Sequence, residues 1–281
     1  MFTLGPNISL SLAQFMPKPS FFIDIDGVLY GGNTPVDEGP GVFRYLRRRG
    51  FPFLLVTNTS RMTPQQILQK LEGFGYEIAL DDIFPVSLAA SDFLRSKYGS
   101  AKCFLIGDEN LAQVLTIGGH VVLHDERPAD VVVIGQSQWA NFGQIDIARR
   151  LVNSGADAVA LHRDLTWPDG EVIRIALGPI VAALESVIDK PVTIIGKPEI
   201  GFFDAALRYS GFERQSTIMI GDSIQSDILG GMRSGMQTLL VRTGNSSDEK
   251  LPASCLTDLD SIASLPDWCE SVFPESSLKG D

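Results

Sequence analysis

Short runs of β-branched and aromatic residues, each closed by Gly, Pro, Asn or Asp, alternate along this chain with segments of helical period, and that alternation restricts the fold most. The strand-like runs are Phe21 to Asp24, Phe53 to Thr57, Lys102 to Ile106, Val131 to Ile134, Ala158 to Leu161, Val192 to Ile195, Thr217 to Ile220 and Thr238 to Val241. Between them the helical pattern covers Gly41 to Arg49, Pro64 to Phe74, Ser87 to Lys97, Phe142 to Asn153 and Gly201 to Tyr209. Successive βα units of this kind lay their strands parallel and return the chain through helices over the sheet. The expected fold class is α/β, a Rossmann-like parallel sheet.

A chain of 281 residues suits two domains, or one large domain with an insertion. No apolar run approaches the roughly 20 residues needed to span a bilayer, so a membrane-integrated protein is not expected. Lys and Arg number 23 against 34 Asp and Glu, a net charge of −11 that opposes nucleic acid phosphates. Cys103, Cys255 and Cys269 are odd in number and widely spaced and form no CxxC pair, which argues against zinc and against a redox couple and leaves them as reduced thiols. No secretory pattern marks the first twenty residues, and a cytoplasmic location is expected. After Gly244 the pattern fades, apart from an amphipathic stretch near Leu259. The expected C-terminus is a surface helix with a loose tail, and the first eighteen residues are expected to be loose as well. His120 and His124 are expected at the surface or its boundary.

Four strand ends carry chemistry. Phe21-Phe22-Ile23-Asp24-Ile25-Asp26-Gly27 ends an apolar strand in two aspartates, one placed to attack and the other to move a proton. Val56-Thr57-Asn58-Thr59-Ser60 ends a second in hydroxyl and amide groups suited to phosphate oxygens, although a helix cap before Thr63-Pro64 is the simpler use. Ile195-Gly196-Lys197-Pro198 fixes a lysine between rigid neighbours. Ile220-Gly221 is followed at once by Asp222, and Asp227 opens a helix, acids that would suit a divalent metal or, more simply, cap a helix. Each simple use is reasonable alone. All four at the carboxyl ends of separate strands, where open α/β sheets bind ligands, point jointly to a site.

Competing motifs fail on single residues. Gly135-Gln136-Ser137-Gln138-Trp139 imitates a nucleophile elbow but has Trp139 where a second glycine is required. Gly39-Pro40-Gly41 lacks the third glycine of a dinucleotide loop, and Lys197 is followed by proline rather than by the Ser or Thr of a P-loop.

In these ordered motifs the chain resembles the haloacid dehalogenase superfamily: D-x-D-G, a hydroxyl after a second strand, a lysine, then G-D-x-x-x-x-D. Val56-Thr57-Asn58-Thr59-Ser60, Ile195-Gly196-Lys197-Pro198 and Leu240-Val241-Arg242-Thr243-Gly244 look like its NagD-like branch, over roughly Phe21 to Gly244. The resemblance implies a core of residues 1–86 and 186–281 with an inserted α/β cap over 87–185. It also implies a magnesium-dependent phosphatase acting on a small phosphorylated metabolite. Asp24 would be the nucleophile and Asp26 the acid and base. Asp24, Asp222 and the Asp26 carbonyl would bind metal, with Asp227 orienting the metal shell. Thr57, Asn58, Thr59 and Lys197 would hold phosphate. A catalytically idle relative and a phosphoryl transferase remain the alternatives.

Relatives carry T-N-x-D or T-D-x-D where this chain has Leu161-His162-Arg163-Asp164-Leu165-Thr166-Trp167. His162 and Arg163 are therefore expected to contact the leaving group, Arg by pairing with an anion and Trp167 by stacking on a flat ring, the simpler use being a surface pair of Arg163 with Asp164 and a Trp167 packed against the cap. A homodimer through the cap is a further implication of the resemblance.

Overall fold

The computed structural model describes residues 18–169, 172–246 and 248–274; the tails expected to be loose fall largely outside them. The chain divides into two compact units, one of residues up to 57 with 68–83 and those from 206, the other of 58–67 and 84–205.

The first unit is built on a six-stranded sheet in the order Thr257–Leu259, Gln237–Val241, Thr217–Gly221, Ser20–Ile23, Phe53–Thr57, Ile83–Pro85. Ser20–Ile23 runs parallel to both neighbours, with Phe22 opposite Met219 on one side and Leu54 on the other. Its four residues are all buried, the run without alternation that a strand covered on both faces requires. From this strand the chain first builds outward through Phe53–Thr57, then returns to build the other side from Thr217–Gly221. The order reverses between Ser20–Ile23 and Thr217–Gly221, the topological switch point where such sheets bind ligands.

Two expectations are corrected here. The stretch near Leu259 is a strand, because Thr257, Asp258 and Leu259 pair in parallel with Leu239, Leu240 and Val241. The helix comes later, at Leu265–Val272, and docks through buried Leu265, Trp268, Cys269 and Val272, each such burial being worth about 1.5–3 kcal/mol for a large side chain. Buried Arg49 fastens it, pairing with Glu270 and donating to the Phe273 carbonyl at 2.8 Å.

The second unit carries a five-stranded parallel sheet in the order Thr193–Ile194, Asp157–Ala160, Val131–Ile134, Lys102–Ile106, Val121–Leu123. Helices Val86–Tyr98, Glu109–Ile117, Phe142–Asn153 and Gly178–Glu185 accompany it. An antiparallel hairpin, Thr166–Asp169 with Val172–Ile175, follows the loop that begins at His162. His120 is not a surface residue: it is buried, its Nδ1 accepts the Ala101 N–H at 3.2 Å, and its Nε2 lies 3.0 Å from the Ser91 carbonyl. The three cysteines are buried and free. Among the described residues no helix is long and apolar enough to cross a membrane.

Candidate active site

The first unit gathers three acids. Asp24 follows Ile23 directly, and its N–H still bonds the Ile220 carbonyl at 2.9 Å, so the sheet itself sets its position. Asp222 leaves the adjacent strand after Gly221, and Asp227 lies in a π-helical turn, Ile224–Ile228. All three are buried, and one carboxylate oxygen from each lies within 4.8 Å of the others. At an effective dielectric near 20, each ionised pair at that separation repels by at least roughly 3 kcal/mol. A divalent cation relieves this, and a donor set made only of hard oxygens fits a hard divalent cation.

Glycine makes the cluster sterically feasible. A Cβ on Gly27 or on Gly244 would collide with the Asp222 carboxylate, and one on Gly221 with that of Asp227. Gly27 also adopts a φ of 82°, in the left-handed region that closes the turn after Asp26. That turn is held by the Gly27 N–H on the Tyr30 carbonyl at 2.9 Å and by the Thr243 hydroxyl on the Gly27 carbonyl at 2.6 Å.

Asp26 stands outside the three-acid group, half-buried, with its Oδ2 3.5 Å from the Thr57 hydroxyl. Asp227, expected to orient the metal shell, places its carboxylate in the cluster itself while its Oδ2 accepts the Ser223 N–H at 3.1 Å. The Asp222 carboxylate is aimed by Asn245, whose backbone N–H and side-chain Nδ2 both donate to Oδ2, at 2.7 and 2.8 Å. Sequence reasoning stopped at Gly244 and missed Asn245; the turn residues Gly244-Asn245-Ser246 after a strand were the available signal.

In the second unit Lys197 is 2% exposed, and Asn58 brackets its backbone. The Asn58 Oδ1 accepts the Lys197 N–H at 2.8 Å and its Nδ2 donates to the Lys197 carbonyl at 2.9 Å. Asn58 was expected to touch phosphate; these bonds make it the brace of the lysine. Thr57 and Asn58 are consecutive, and the boundary between the units falls between them.

The loop after Leu161 folds on itself. His162 is buried, with Nδ1 3.0 Å from the Asp164 carboxylate and 3.2 Å from its N–H. Burial pushes the Asp164 carboxyl up, but the His162 hydrogen bond and charge, the Lys197 charge and an Asn58 hydrogen bond together hold it below its ordinary value. Arg163 spends its guanidinium on Glu185 in two bonds of 2.7 and 2.5 Å, a pairing the sequence did not announce.

Comparison with known proteins places the chain in a family. Residues 21–120 match the haloacid dehalogenase-like hydrolase model and residues 194–266 a second HAD-hydrolase-like model. The acid sugar phosphatase of Staphylococcus aureus is 30% identical over 230 residues, covering 82% of this chain and 88% of that protein. The 5'-nucleotidase YutF of Bacillus subtilis is 29% identical over 253 residues, 88% of this chain and 96% of its own. Among solved structures, the p-nitrophenyl phosphatase of Archaeoglobus fulgidus superposes with a TM-score of 0.83 at 27% identity, covering 89% of this chain and 99% of that one. NagD of E. coli gives 0.80 at 25%, over 88% and 98%. The chain belongs to the haloacid dehalogenase-like hydrolases, in their NagD-like branch of phosphatases.

Proposed function

We propose that the protein is a magnesium-dependent phosphatase of small phosphorylated metabolites that works through an aspartyl-phosphate on Asp24. The observation that carries this is the buried trio Asp24, Asp222 and Asp227, set at the switch point of a parallel sheet in a chain whose relatives are phosphatases. A magnesium ion held by Asp24 and Asp222, with Asp227 in the same cluster, would neutralise charge on the carboxylates and the phosphate.

The protein's own groups supply the rest. An oxygen of the Asp24 carboxylate attacks phosphorus, and the bond to the leaving oxygen breaks. Asp26 gives that oxygen a proton and later takes one from the water that hydrolyses the acyl phosphate. The hydroxyls of Thr57 and Thr59 hold phosphate oxygens. Lys197, fixed through Asn58, offsets their charge. In this account residues 87–185 form the cap, and the acidic net charge of −11 favours small substrates over nucleic acid. A cytoplasmic location suits three buried, free cysteines.

Phosphate release from 4-nitrophenyl phosphate tests the proposal. Activity should vanish with a chelator and return with magnesium but not with calcium, whose larger and looser shell can engage both oxygens of the nucleophile. Asp24→Asn should abolish turnover with the fold intact by circular dichroism. Equal rates with calcium, or a wild-type rate from Asp24→Asn, would overturn it.

A further inference from the structure

Arg61 is a cation with an unusual setting. Its guanidinium carbon lies 3.5 Å from the centroid of the Trp167 ring, close enough for a strong cation–π stack. Among the described residues nothing accepts a hydrogen bond from that guanidinium. Arg163 and Arg150, by contrast, each spend two bonds on a carboxylate, Glu185 and Glu126. Asp108 feels the charge of Arg61, but its carboxylate accepts the Leu111 N–H instead. A guanidinium with its face on an indole and its edge unspent is preorganised to take an oxyanion through two parallel N–H bonds.

Gln136 ties together the two segments that carry the stack. Its N–H donates to the hydroxyl of Ser60, the residue before Arg61, at 3.2 Å. Its side-chain Nε2 donates at 3.1 Å to the carbonyl of Ile175, which pairs across the hairpin with Thr166, the residue before Trp167. Asn110 adds a bond of 2.6 Å to the Arg61 carbonyl. The indole N–H makes no hydrogen bond, so the ring contributes its face rather than its polar edge.

Short tethers join this stack to the phosphate-binding lysine. Arg61 is three residues beyond Asn58, whose amide brackets the Lys197 backbone. Trp167 is three residues beyond Asp164, whose carboxyl interacts with Lys197 and Asn58. Three residues reach at most about 11 Å.

We propose that Arg61, carried on the Trp167 ring, binds a second oxyanion on the leaving group of the substrate, the role the sequence assigned to Arg163. This rests on the phosphatase reading above and adds the substrate class: phosphate monoesters that also carry a carboxylate or a further phosphate.

The test compares phenyl phosphate with 3- and 4-carboxyphenyl phosphate, by kcat and KM in the full chain. The wild type should prefer at least one carboxylated ester by about tenfold or more in kcat/KM, the scale of a charged hydrogen-bonded pair. Arg61→Gln should collapse that preference toward one through the KM of the carboxylated ester, and Arg61→Lys should keep part of it. Trp167→Phe, which retains a ring face, should keep more of the preference than Trp167→Ala. No preference in the wild type, or an equal loss on all three esters in Arg61→Gln and Arg61→Lys alike, would reduce the stack to a pin for the hairpin and overturn the proposal. If the wild type hydrolyses none of them, the phosphatase reading itself fails.

Discussion

The tripeptide Ile-Gly-Asp ends a buried parallel strand twice in this chain, at Ile106-Gly107-Asp108 and at Ile220-Gly221-Asp222, and the two aspartates do different work. Asp108 caps the helix Glu109–Ile117, accepting the Leu111 N–H at 3.2 Å. A Cβ on Gly107 would meet Leu105 and Leu111, so that glycine serves apolar packing. At the second copy the cap is Ser223, whose hydroxyl accepts the Ser226 N–H at 3.2 Å. Asp222 is thereby released from capping. It accepts two bonds from Asn245 and joins Asp24 and Asp227, and Gly221 leaves room for the Asp227 carboxyl rather than for a leucine. The tripeptide specifies a strand end and a tight turn. Chemistry requires carboxylates delivered by other strands and a neighbour that takes over the cap.

The matched pair of variants is the sharpest way to break this comparison. Asp222→Asn should lower kcat/KM by about 10⁴-fold, several kcal/mol of lost charge stabilisation. Asp108→Asn should leave the rate within twofold, because Asn caps a helix as well as Asp. Phosphate-release assays on both proteins decide it: similar rates from the two would mean that the strand ends are equivalent. Asp26→Asn should cost about 10²–10⁴-fold, the range for proton transfer, with metal affinity by calorimetry preserved. A parallel loss of metal affinity would make Asp26 a ligand through its side chain.

The second strand end of the other unit extends the comparison. Lys197→Met should lower the rate by about 10²–10³-fold, as expected for one oriented electrostatic donor. Asn58→Ala should mimic part of this, since it removes the brace and leaves the charge. Smaller still is Asn245→Ala, which keeps the backbone bond to Asp222 and loses the side-chain one. Its expected effect is about 10-fold in magnesium affinity, read by titration calorimetry, at the low end for groups that orient a metal ligand. An unchanged affinity would leave Asn245 a turn residue only.

These contrasts also show what the sequence could carry. Phe53–Thr57, Lys102–Ile106, Val131–Ile134 and Phe142–Asn153 have the boundaries their apolar patterns predict, because each is long enough for its own period to register. Thr257–Leu259 was missed since three residues become a strand only beside Gln237–Val241. The hairpin of Thr166–Asp169 with Val172–Ile175 does not show in the apolar pattern, in which Pro168 interrupts the first strand. In the site, residue type and spacing at strand ends were legible. The braces were not: Asn58 holds a backbone 139 positions away, and Asn245 reaches back 23 positions to Asp222. Arg163 and Arg61 look equally available as letters, and only their partners, Glu185 for one and Trp167 for the other, separate a spent cation from a stacked one.

The central claim is that Asp24 carries the phosphoryl group. Acid quenching within the first turnover on 4-nitrophenyl phosphate, followed by peptide mass analysis, tests it directly. The account predicts a phosphoryl adduct on the peptide that contains Asp24, lost in Asp24→Asn. Phosphate released with no adduct at any quench time, or an adduct on a peptide containing Asp222 instead, would contradict it.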